Sequence, residues 1–160
     1  MAIDTSKVSR RTLRFNSIDE VIVEVDRLAA AAKAGKLQVV GNWSFGTILN
    51  HLATWAEYAF TGTPLKAPFF VRWMFKLRRG HFLNSPMKAG ARIPGVANGT
   101  LGTEEKPWEQ QVRRYQVALL RLKQECPQVP NVIFGKMTHE EWIKLTLRHA
   151  ELHLSFARES

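Results

Sequence analysis

His149 and His153 stand four residues apart near the C-terminal end of the chain. On a helix, residues four apart differ by only about 40° around the axis and about 6 Å along it. Both imidazoles can therefore reach one point, which is how a single helix offers two nitrogen ligands to one metal ion. The same spacing also occurs where nothing is bound and a core histidine bonds to a backbone carbonyl. The surrounding pattern adds a second signal. Trp142, Leu145, Leu152 and Phe156 make an apolar stripe, and His149 falls where that stripe demands an apolar residue. A buried imidazole without a partner costs about 1–3 kcal/mol, so two adjacent ones need two explanations.

His51 supplies a third nitrogen ligand. It is flanked by Leu49 and Leu52 and shares its angular position with Thr47, Trp55 and Tyr58, which turns it inward or to the core edge. Three histidines from two helices match a catalytic type of metal site, with positions left for water or substrate. Spacing leaves the alternative open that His51 bonds locally and never meets His149. His139, ten residues before His149, lies about 15 Å away along a helix and cannot share its ion. His81, after Gly80, reads as a surface residue. Trp55, Tyr58 and Trp142 are expected to line an apolar substrate pocket. Glu57 and Glu151 point about 120° and 160° away from the nearest histidine and are expected to be solvated, so no general base is identified.

Four helices must position these groups. The first starts at Ser17, with Glu20 at capping-box spacing, carries Ile18, Val21, Ile22, Val25 and Leu28 on one face, and stops at Gly35. The second starts at Ser44, buries Phe45, Ile48, Leu49, Leu52, Ala56 and Phe60, and ends at Gly62 and Pro64. Residues 63–102 are too long for an ordinary helix–helix loop and are rich in Pro and Gly, with a short aromatic and basic helix expected at 69–79. The third helix is expected to open near Thr103 and Glu104, with Pro107 in its first turn, and to close at Cys126-Pro127. The fourth opens at Thr138, with Glu141 at capping-box spacing, and runs close to the C-terminus. No strand pattern stands out. The expectation is an all-α four-helix bundle, up-down-down-up, with a long crossover between helices two and three, in a single domain over 1–160.

Composition narrows the function classes. The chain has 160 residues, 45% hydrophobic and 23% charged, which is ordinary for a globular domain. No apolar run reaches the roughly 18–20 residues of a membrane-spanning helix. One cysteine, Cys126, excludes an internal disulfide and suits a reducing compartment. Ser9-Arg10-Arg11-Thr12-Leu13-Arg14 mimics a twin-arginine export signal, but Asn16, Ser17, Asp19 and Glu20 follow where an apolar stretch is required. The expectation is a basic tail leading into a helix of a cytoplasmic protein. The net charge of +9 raises nucleic acid and anionic lipid as partners. No nucleic-acid fold signature accompanies it, so no specific nucleic-acid binding is expected. The segment 69–79 could lie on anionic lipid, pack its aromatics on the bundle or join two copies as a homodimer.

The block Gly41-Asn42-Trp43-Ser44-Phe45-Gly46-Thr47-Ile48-Leu49-Asn50-His51-Leu52-Ala53 resembles the second-helix signature of the DinB/YfiT-like superfamily of metal-dependent enzymes. Phe134-Gly135-Lys136-Met137-Thr138 and Arg148-His149-Ala150-Glu151-Leu152-His153-Leu154 resemble the last helix of a branch known chiefly as a domain of unknown function. Arg14-Phe15-Asn16-Ser17 fits its opening. The resemblance implies the same bundle, and a divalent metal, zinc or nickel, held by His51, His149 and His153. It also implies, as a class only, a thiol-dependent transferase or a hydrolase acting on a small molecule, with a low-molecular-weight thiol as co-substrate. The competing reading is a non-catalytic metal-binding or interaction module whose site is vestigial.

Overall fold

The computed structural model describes residues 3–160. Helix α1 (Ile18–Lys33) is capped by Ser17, whose hydroxyl accepts the Glu20 N–H, and Gly35 follows it at positive φ. The reciprocal half of the cap is displaced by one residue: the Glu20 carboxylate accepts from Asn16 N–H at 2.9 Å. Helix α2 (Phe45–Thr61) is capped by Ser44 and ends at Gly62, and α6 (His139–Leu154) opens on a full Thr138/Glu141 capping box. These ends follow the local chemistry that the sequence signals.

The third long helix, α5 (Trp108–Gln124), starts later than expected. Pro107 is its flanking residue rather than part of its first turn, and residues 103–106 are not helical. A residue before proline disfavours the α conformation. Glu105 is also engaged elsewhere, since its carboxylate accepts from the Ser44 and Thr47 hydroxyls at 2.6 and 2.7 Å, across the first turn of α2. Gly46 makes that approach possible, since a Cβ there would stand 1.9 Å from the Lys106 carbonyl oxygen.

In the crossover, α3 (Phe69–Leu77) is followed by α4 (Arg79–Asn84) and a short 3-10 turn at Ala97–Gly99. Helix α4 packs on α6, while α3 has α4 as its helical neighbour. Phe75 anchors α3 by stacking on Phe82 at 4.7 Å and meeting Phe134 edge-on at 6.2 Å.

Two short strands correct the expectation of no strands. β1 (Leu37–Val39) pairs antiparallel with β2 (Ala157–Glu159), Gln38 opposite Arg158. Three residues are too few to show a period of two, and the pairing joins distant parts of the chain. The basic segment near the N-terminus is likewise no free tail. Arg11 pairs with Glu24 at 2.5 Å and donates to the Leu154 carbonyl, and Arg10 donates to Ser155 Oγ at 2.9 Å.

The result is an all-α bundle in which α1, α2, α5 and α6 share one apolar core and a crossover region lies outside it. Val21, Val25, Leu28, Ile48, Leu49, Leu52, Tyr115, Leu119, Leu122 and Leu154 are its largest fully buried side chains. Helix α2 packs along α5 and against α6, which carries His51 toward the last two turns of α6. Among the described residues, no helix is long and apolar enough to cross a membrane.

Candidate metal centre

The three histidines meet. Ring nitrogens of His51, His149 and His153 all lie within 4.8 Å of one another. His51 Nε2 is 3.0 Å from His149 Nε2, and the ring centroids of the three pairs are 4.4–4.9 Å apart. His51 is buried, at 2% exposure, while His149 and His153 keep part of their surface.

A backbone clamp sets the orientation of His51. Its Nδ1 lies 2.7 Å from the Leu101 carbonyl oxygen. A carbonyl only accepts, so Nδ1 carries the proton. In the neutral ring, Nε2 then holds a lone pair aimed at the other histidines, the tautomer a metal ligand needs. The loop that brings Leu101 in is tied down by Asn50, whose side-chain amide donates to the Gly102 and Glu104 carbonyls at 3.2 and 3.1 Å. Arg114 holds Asn50 in turn, donating to its Oδ1 at 2.7 Å. Gly102 sits at φ +71°, and a Cβ there would lie 2.9 Å from Thr54 and 3.2 Å from the His51 backbone.

The local electrostatics favour neutral imidazoles. Burial pulls His51 from its ordinary value down to about 4, although its bond to Leu101 acts the other way. His149 is held well below the usual range, chiefly by burial and then by the neighbouring His51. His153 is held down by burial first, then by His51, His149 and the positive charge of Arg10. Neutral nitrogens are the form that binds metals. Three such donors without a carboxylate or thiolate suit a divalent ion of intermediate softness, so the residues present fit that group.

Aromatic rings enclose the cluster unevenly. Trp43 stacks on His153, with centroids 5.3 Å apart and planes 10° from parallel, and lies 5.0 Å from His51. Trp55 meets His51 and His149 edge-on at 6.1 and 6.2 Å. The indole N–H of Trp55 is buried without a hydrogen-bond partner among the described residues. Tyr58 packs edge-on against Trp55 at 5.9 Å and lines a groove between α2 and α5 with Phe60, Arg114 and Arg121. Trp142 belongs to the core cluster, two helical turns or about 10 Å before His149 along α6.

The remaining candidates are placed elsewhere. His139 Nε2 is bonded to the Leu122 carbonyl at 2.5 Å, and His81 is exposed on α4 beside Ser85. Glu151 is not solvated as expected. It is buried, pairs with Arg148 at 2.6 Å and accepts the Phe15 N–H at 2.7 Å. The sequence pattern misled because a pair of buried charges looks polar along a helix face whether or not water is present. Glu57 is half-buried and held by Arg114. Spacing does not single out Trp43, Asn50 or the Leu101 carbonyl. The one signal in the sequence is an aromatic directly before the cap of the helix that bears His51; a backbone carbonyl leaves no trace in residue types.

Fold and site together define a helical bundle carrying a three-histidine cluster capable of coordinating a metal ion. The family described as "Protein of unknown function (DUF1569)" matches residues 7–160, and the chain belongs to that family. This membership is consistent with the resemblance to DinB-like domains. No curated protein and no solved structure matches the chain.

Proposed function

We propose that the protein is a metal-dependent enzyme in which His51, His149 and His153 hold one divalent ion, zinc or nickel, and that it acts on a small molecule as a transferase or hydrolase. The observation that carries this reading is the convergence of three imidazoles with the His51 tautomer fixed by Leu101. A bound ion would supply Lewis acidity, lowering the pKa of a water or a low-molecular-weight thiol at neutral pH. The chain's own groups do the rest. Leu101 and Asn50 hold the His51 ring in place. Burial keeps all three imidazoles unprotonated. Trp43 and Trp55 form an apolar wall that excludes water, with Tyr58 behind Trp55 and Trp142 fixing α6 in the core. The free indole N–H of Trp55 is a donor for an anionic ligand, and Arg10 adds positive potential near His153. Cys126 lies at the end of α5, so a reacting thiol comes from outside the chain.

The reading includes a single domain over 1–160 and an up-down-down-up path of the four long helices, supported by the common core and the reach of the family match. It is tested by elemental analysis of protein purified without added metal, followed by a thiol-transfer screen. The expected result is about one ion per chain, near-complete loss of it in His149→Ala, and retention in His139→Ala. Equal metal content in the two variants would refute the site. Full metal content with no change in the spectrum of a cobalt-substituted sample on adding thiols would refute the thiol chemistry.

A further inference from the structure

Helix α3 turns its largest apolar residues outward. Phe69, Phe70, Trp73, Met74 and Leu77 are 84%, 60%, 65%, 49% and 68% exposed. At 100° per residue these five cover one continuous arc of about 140°. Val71 and Phe75 lie opposite, and Phe75 makes the anchoring contacts with Phe82 and Phe134. Arg72 and Lys76 stand beside the apolar arc, both exposed. A cluster of this kind is not the ordinary scatter of single surface hydrophobics and marks a contact surface.

The charge around it selects the partner. No acidic residue occurs between Glu57 and Glu104, while Lys66, Arg72, Lys76, Arg78, Lys88 and Arg92 all lie in that stretch with exposed side chains. Arg79, also in it, is engaged by Glu141. A second copy of the chain would bring to this face the same excess of cations and, from this stretch, no carboxylate to neutralise Arg72 and Lys76. Duplex phosphates would satisfy the cations and leave the aromatic arc in water, and a single strand, whose bases stack on rings, offers nothing to bury the aliphatic Met74 and Leu77. An anionic bilayer answers both features. Its headgroups neutralise the basic side chains, and the boundary with the acyl chains takes up the phenyl and indole rings. A short helix suffices because it lies in the plane of the interface and need not span it.

We propose that α3 is an interfacial membrane-docking helix that seats the protein on anionic lipid through Phe69, Phe70, Trp73, Met74 and Leu77, with Arg72 and Lys76 on the headgroups. The proposal does not depend on the metal reading. The test is co-sedimentation of the full chain with phosphatidylcholine vesicles containing about 40% phosphatidylglycerol, against phosphatidylcholine alone, at about 0.05 M and 0.5 M salt. Apparent affinity for the anionic vesicles should exceed that for neutral ones by about tenfold or more and drop several-fold in high salt. Trp73→Ser and the double variant Arg72→Glu/Lys76→Glu should each weaken it by about tenfold, with circular dichroism unchanged because these side chains are exposed. Brominated lipid should quench part of the wild-type tryptophan emission, and that part should vanish in Trp73→Phe. Wild-type binding by both binding variants, equal binding to neutral vesicles, or tighter binding to a short DNA oligonucleotide than to vesicles would overturn the proposal. So would a dimer in sedimentation equilibrium that Trp73→Ser dissociates, since a second copy would then cover this face.

Discussion

Replacing Gly102 by alanine tests how the cluster is held, because it disturbs the clamp without touching a histidine. Two costs arise. The backbone at φ +71° is one that a residue with a Cβ adopts at about 1–2 kcal/mol. The new methyl would also lie 2.9 Å from Thr54 Cβ and Oγ1, closer than carbon atoms tolerate. Thr54 cannot simply swing aside: it is on α2, and its hydroxyl accepts from Arg114 at 3.2 Å. Overpacking of this kind adds about 1–3 kcal/mol, so the whole destabilisation is about 3 kcal/mol. For a chain of this size that lowers Tm by roughly 6–12 °C. The loop relieves the clash by moving off α2, which breaks the Leu101–His51 bond. Loss of such an outer partner lowers metal affinity by about 10–100-fold. Gly95→Ala is the control, since it has a similar φ of +78° and nothing within 4 Å, and should show only the backbone cost. The assays are thermal denaturation of chelator-treated protein and zinc competition against a chromophoric chelator. If Gly102→Ala matches Gly95→Ala in both stability and affinity, the loop does not position His51 and the reasoning fails.

Two further outcomes follow from buried polar groups. The unfolded chain protonates His51 near pH 6.5, whereas the folded one does so only near 4. Stability is therefore fully present above about pH 6.5 and falls as pH drops toward 4. His51 alone accounts for a loss of roughly 2 kcal/mol between pH 7 and 5 in metal-free protein, and His149 and His153, lowered as well, add to it. Urea denaturation in the presence of chelator should show it, and a flat profile over that range would contradict the neutral cluster. Glu151→Leu leaves the Arg148 guanidinium buried without its carboxylate, and Phe15 N–H without its acceptor. It should destabilise by about 3–5 kcal/mol, read as a lower urea midpoint. A loss below about 1 kcal/mol, the range of exposed pairs, would show that this pair is solvated in solution.

Much of the scaffold is written locally. Ser17, Ser44 and the Thr138/Glu141 pair mark three helix starts, because a cap is a contact between residues three apart. The apolar faces of α1, α2 and α6 follow the helical period for the same reason. His149 and His153 were bound to be neighbours once α6 formed, since four residues make one turn. Longer-range facts are not legible in this way. The start of α5 lies later than its pattern suggests because Glu104 and Glu105 are occupied by α2, and strand β1 exists only because β2 returns beside it. Whether Glu151 meets water or Arg148 with the Phe15 backbone depends on where residue 15 crosses α6.

Residue types and spacing by themselves determined a helical bundle and nominated three imidazoles, because both rest on periodicity along single helices. The tertiary structure alone decided that His51 reaches the other two, that Leu101 chooses its tautomer, and that Trp43 lies against the cluster. It also decided that the aromatic arc of α3 faces outward while Phe75 turns in to Phe82 and Phe134. Each of these depends on how two elements distant in sequence meet, and on a backbone carbonyl or an exposed surface that no residue type encodes.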